Sequence, residues 1–157
     1  MKRKTALVLC LLLSVLCLLC ACGKQEPRSV DLSKLYVDIT ARPEIPEMLR
    51  SSETEIRNFY GIDPAGCPQL ILAVCDDGLR VDEVWLIEAD SESRAEELLA
   101  LAQSRIAQLC TETESYLPDQ NAVAKNGQAL RIGRNVGLFV SPEAGELARL
   151  FRESFNA

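Results

Sequence analysis

The side chains of this 157-residue chain that could do chemistry are carboxylates and thiols, because it contains no histidine. Without imidazole, Ser-His-Asp and Cys-His nucleophiles and histidine-ligated metal sites are unavailable. A carboxylate pair is the remaining catalytic option, with Glu88 and Asp90 as candidates that would have to converge in one cleft to act as acid and base. Asp76, Asp77, Asp82 and Glu83 form a second acidic cluster whose oxygens suit calcium, but the spacing departs from the EF-hand loop and acidic turns are usually just solvated. Outside the apolar leader, Cys67, Cys75 and Cys110 are an odd number without C-x-x-C spacing, so neither a disulfide framework nor a zinc site is indicated. Cys75 and Cys110 read as small buried hydrophobes, with a disulfide between them left open. Cys67 and Cys75 would lie about 25 Å apart if the chain between them is one strand, too far to pair. Gly127, Gly133 and Gly137 are too widely spaced to cradle a phosphate. The expectation is no catalytic residue, no cofactor and no metal.

Two aromatic segments are candidate ligand edges. Phe59-Tyr60-Gly61-Ile62-Asp63-Pro64 sets an aromatic pair beside a carboxylate, but a helix end at Gly61 and a turn at Asp63-Pro64 explain it with Phe59 packed inward. Tyr116-Leu117-Pro118-Asp119-Gln120 reads the same way, with Tyr116 and Leu117 closing the core where Pro118 stops a helix.

The elements that must position these residues are marked by caps and periodicity. Asp31 caps a helix carrying Leu32, Leu35 and Ile39 on one face, which ends before Pro43; Pro43 and Pro46 then impose a loop. Ser52-Glu53-Thr54-Glu55 is a capping box opening a helix that stops at Gly61. Gln69 to Cys75 and Val81 to Ala89 are strands of an antiparallel hairpin signalled by Asp77-Gly78, and the second is apolar on both faces. The longest helix runs from about Glu92 to Thr111, with Ala95, Leu98, Leu99, Ala102, Ile106 and Leu109 as its stripe. Ala122 to Lys125 and Gln128 to Gly133 read as strands joined at Asn126-Gly127, followed by Val136 to Val140. Ser141 caps a last helix with Ala144, Leu147, Leu150, Phe151 and Phe155 inward. The expected fold is α+β, an antiparallel sheet of about five strands packed against helices.

Ahead of this domain, Lys2-Arg3-Lys4 and the apolar run Ala6 to Leu19 have the form of a secretory signal peptide, too short to be read as a spanning helix. Leu19-Cys20-Ala21-Cys22 then resembles the lipobox of bacterial lipoproteins: an aliphatic residue, two small ones and the motif's cysteine. The resemblance implies cleavage after Ala21 and a diacylglyceryl thioether on Cys22. Two acyl chains, palmitate for example, would anchor it stably to the membrane. The organisation expected is a signal peptide over 1–21, a flexible tether over 22–30 and one domain over 31–157. Without Lys2, Arg3 and Lys4, 14 of the 17 basic residues remain against 23 acidic ones, a net charge of −9. Such a surface is repelled by nucleic acid and anionic lipid headgroups, so the lipid rather than the folded surface would hold the membrane.

Asn58-Phe59-Tyr60-Gly61-Ile62-Asp63-Pro64 and Glu114-Ser115-Tyr116-Leu117-Pro118-Asp119-Gln120 behind a lipobox resemble the lipoproteins of Gram-positive anaerobes grouped as domain of unknown function 4358, over about residues 31–155. That family implies an extracytoplasmic location and a fold, but no activity or site residue. The function expected is a non-enzymatic, lipid-anchored module at the extracytoplasmic face of the cell membrane, binding an envelope protein or small ligand. The alternatives are a carboxylate-dependent envelope enzyme and an accessory protein for solute capture.

Overall fold

Asp31 opens the first helix by accepting hydrogen bonds from the Ser33 and Lys34 amides, and α1 (Leu32–Thr40) buries Leu32, Leu35 and Ile39 as its spacing predicts. The protein is described by a computed structural model over residues 28–156; the leader and Cys22 lie outside the described residues. After the Pro43–Pro46 loop comes a three-residue strand, β1 (Met48–Arg50), where the sequence alone suggested only loop. Its pairing with β2 creates it: Met48 faces Cys75 and Arg50 faces Ala73. The capping box at Ser52 and Glu55 forms on both sides, and α2 (Glu53–Tyr60) ends at Gly61 with φ 66°. Glycine reaches that left-handed conformation without a Cβ penalty.

A short 3₁₀ turn (Pro64–Gly66) leads into β2 (Gln69–Cys75), β3 (Glu83–Glu88) and the long helix α3 (Glu92–Thr113). There follow α4 (Pro118–Lys125), β4 (Gln128–Ile132), β5 (Asn135–Val140) and α5 (Ala144–Asn156). The segment Ala122 to Lys125, expected as a strand, is therefore helical. Pro118 occupies the first turn, Asp119 complements the helix dipole there, and Ala124 and Asn121 are buried. Asn126-Gly127 accordingly closes a helix, the Gly127 amide donating to the Ala124 carbonyl, rather than a strand hairpin. Five strands remain because β1 takes the place of the lost one.

The sheet is antiparallel throughout, in the order β1-β2-β3-β5-β4. Both faces are covered. Leu72, Trp85, Ile87, Val136 and Leu138 pack towards α3 with Ile56 and Ala124, while Ile71, Val84, Leu86 and Phe139 pack towards α1 and α5. Alternation along β3 and β5 therefore separates two apolar layers rather than a wet and a dry side.

Gly137 lies on the α5-facing side of the central strand β5. A Cβ there would sit 2.9 Å from Phe139 Cε2 and 3.3 Å from Phe151 Cδ2, both in fully buried rings. Gly137→Ala is expected to cost about 1–3 kcal/mol through overpacking, read as a lowered urea midpoint. An unchanged midpoint would show that the rings give way freely.

Candidate functional site

The two ends of the sheet carry different chemistry. At one end Gln69 pairs with Glu88, and Glu88 with Asn135. Here the Gln69 side chain clasps the incoming chain, its Oε1 accepting from the Leu32 amide at 2.8 Å and its Nε2 donating to the Val30 carbonyl at 2.9 Å. The same Nε2 donates to Glu88 Oε2 at 2.8 Å, and Arg134 reaches Glu88 Oε1 at 3.3 Å. Asp90 is engaged separately, accepting from the Ser91 hydroxyl. Glu88 and Asp90 are thus held in different surroundings. A cavity of about 380 Å³ at this end is lined by Glu88 and Glu92, each beside an arginine, Arg134 or Arg131.

At the other end a cleft of about 320 Å³ opens between the β2–β3 loop and the end of α3. One wall is the loop, closed by the Cys75 amide on the Asp82 carbonyl and tightened by the Arg80 amide on the Asp77 carbonyl. The other is the α3–α4 corner, where Asn121 Nδ2 donates to the Cys110 carbonyl and to Thr113 Oγ1. Gln120 links the walls by accepting from the Val81 amide at 3.1 Å.

The floor is a buried polar cluster. Glu83 is 1% exposed; its Oε1 accepts from Trp85 Nε1 at 2.6 Å and its Oε2 from Arg105 Nε at 2.9 Å. Trp85 and Tyr60 meet edge to face at 5.4 Å, and the Arg105 guanidinium lies 5.6 Å from the Tyr60 ring centre. Burial pushes the Glu83 carboxyl above the ordinary carboxylate range, with Arg105 pulling the other way. Burial likewise raises the Tyr60 hydroxyl, with Glu83 adding to it. Beside this cluster Asp82, also buried, takes a two-pronged contact from Arg80 at 2.9 and 3.1 Å.

The acidic cluster of the sequence is therefore divided. Asp82 and Glu83 are inside and matched to arginines, Asp77 accepts from the Leu79 amide, and Asp76 and Asp77 are exposed on the loop. Among the described residues no group of three or more His, Cys, Asp or Glu side chains is placed to hold a metal ion. Cys67, Cys75 and Cys110 are free thiols; Cys67 is buried, which raises its pKa, while Cys75 and Cys110 are partly exposed rather than buried. The aromatic segments also differ from expectation. Phe59 is 78% exposed rather than packed inward, and Tyr116 is 69% exposed on the lip of the cleft opposite Leu79, itself 68% exposed. Tyr60, not Phe59, turns inward from α2, and Leu117 is half-buried in the lining of the cleft.

Arg105, Trp85 and Leu79 were not singled out from sequence. One signal was there: Arg105 falls within the series Leu98, Ala102, Arg105, Leu109, a charge at an apolar-stripe spacing, and such a residue needs a buried partner.

The sequence profile of the family described as domain of unknown function DUF4358 matches residues 43–141. The matched span is narrower than the resemblance read from the sequence. It holds all five strands and the cleft-lining residues but not α1 or α5. No curated protein and no solved structure matches the chain.

Proposed function

The chain belongs to the DUF4358 family, which carries no assigned activity, and from that premise we propose that it is a lipid-anchored, non-enzymatic binding module at the extracytoplasmic face of a Gram-positive cell membrane. In this reading Cys22 carries the lipid, residues 1–21 are removed and the cleft under Leu79 and Tyr116 receives a partner. The observation that supports it best is the position of the Gln69 clasp. It fastens Val30 and Leu32 at the end of β2 remote from the cleft. Six residue steps along β2 separate the two ends by about 20 Å at ~3.3 Å per step. A domain tethered through Cys22 would therefore keep its clasped end near the bilayer and offer the cleft outward. No helix among the described residues is long and apolar enough to cross a membrane. A carboxylate enzyme is less well supported, because Glu83 and Glu88 are each engaged by an arginine.

Cell fractionation tests the anchor. The wild-type chain is expected in the membrane fraction with incorporated fatty-acid label, and Cys22→Ala is expected to lose the label and leave the membrane fraction. A Cys22→Ala chain that stays membrane-bound, with an unlabelled wild type, overturns the reading.

A further inference from the structure

Resting on the reading of the cleft as a partner-binding surface, we infer that its occupant is a basic segment of a partner protein, an apolar side chain flanked by lysine or arginine. Charge complementarity is the argument. The only cations in residues 74–83 and 105–120, which form the cleft walls, are Arg80 and Arg105. Each is matched to a buried carboxylate, Arg80 to Asp82 and Arg105 to Glu83, at 2.9 Å. Of the other charges on these segments, the Glu112 carboxylate lines the cleft, 4.0 Å from Arg105 Nη1, while the exposed carboxylates of Asp76, Asp77, Glu114 and Asp119 lie on the same segments around it. The surface around the cleft is thus net anionic beside a charge-matched floor, and it attracts the cations that flank the entering apolar side chain.

The apolar part of the occupant follows from the lips. Leu79 and Tyr116 are about two-thirds exposed on opposite walls of one cleft, so an apolar side chain entering between them removes surface from water on both sides. Tyrosine suits such a position, with a large rigid face and few rotors to immobilise. An acidic segment or an anionic polymer would meet the carboxylate rim and be repelled.

The test uses the full lipidated chain in detergent micelles and three labelled synthetic peptides of equal length: phenylalanine flanked by lysines, phenylalanine flanked by glutamates, and glycine flanked by lysines. Fluorescence anisotropy is expected to show the lysine–phenylalanine peptide binding at least tenfold tighter than the other two and weakening as salt is raised. Leu79→Ser with Tyr116→Ser, and separately Asp76→Asn with Asp77→Asn and Glu112→Gln, are each expected to weaken it tenfold or more. Phe59→Ser, a change at an exposed aromatic that does not line the cleft, is expected to leave it unchanged. Equal binding of the glutamate or glycine peptide, no binding, or an equal loss in Phe59→Ser overturns the inference. A photocrosslinker at position 116 in intact cells separates this failure from failure of the binding role. A crosslink to a basic partner segment supports the inference. One to an acidic segment, or to a second copy of this chain, overturns it while leaving the cleft a binding surface. No crosslink above that from position 59 overturns both.

Discussion

Arg105→Met is expected to lower the unfolding free energy by about 3 kcal/mol at pH 7, because it strands a carboxylate that the fold has taken out of water. Glu83 is almost completely enclosed, and Arg105 supplies its closest charged partner at 2.9 Å. Methionine keeps much of the aliphatic volume over Tyr60 but returns none of the charge. The loss should depend on pH in a defined sense. Burial raises the Glu83 carboxyl in the folded state above its unfolded value. Its titration therefore contributes stability that is fully present below the ordinary glutamate value of about 4.3 and is lost as pH rises through the raised value. Removing Arg105 removes the main influence that lowers this carboxyl, so the window extends to higher pH. Urea unfolding of both proteins across this range should show the deficit of Arg105→Met smallest near pH 4 and largest near neutrality. Glu83→Gln should cost less, since the amide oxygen still accepts from Trp85 and Arg105 retains access to water, and it should remove this pH dependence. A deficit that is the same at every pH would mean that the Glu83–Arg105 pair is an incidental contact.

Trp85→Ala should be of comparable size, about 3–5 kcal/mol, as the largest fully buried side chain is replaced by a methyl group and its cavity collapses only in part. Three losses coincide there: the ring's packing against α3, its edge-to-face contact with Tyr60, and the Nε1 donor to Glu83. Trp85→Phe separates them by keeping a ring while leaving Glu83 Oε1 with only the longer 3.3 Å contact from Arg105. Its expected cost is about 1–2 kcal/mol, in line with one lost hydrogen bond to a charged group. Circular dichroism melts of both variants make the comparison. Trp85 is also the chain's single tryptophan, so its fluorescence in the wild type reports the state of the cleft floor directly. A Trp85→Ala loss no larger than that of Trp85→Phe would show that the N–H donor, not the ring, carries the stability.

Much of the fold was readable from the chain because its signals are local. The Asp31 and Ser52 caps, the Gly61 stop, the β2–β3 hairpin and the stripes of α3 and α5 each depend on residues within a turn or two of one another. The two errors fall where that condition fails. Met48–Arg50 has no strand signature of its own and becomes β1 only because the β2 edge is there to pair with it. Ala122 to Lys125 is a short apolar run that periodicity cannot assign, and docking against α3 made it part of a helix.

The site divides along the same line. The amino-acid sequence by itself determined the α+β class, most element boundaries, the absence of imidazole chemistry and an acidic balance, because these follow from residue types and near neighbours. Only the tertiary structure decided that Glu83 would face Arg105 across 22 positions, that Tyr60 would turn inward and Phe59 outward, and that Leu79 and Tyr116 would become the lips of one cleft. Burial and charge pairing are properties of elements that meet. The packing of α3 over one face of β3 sets which carboxylate loses water and which aromatic keeps it, and no short stretch of chain contains that information.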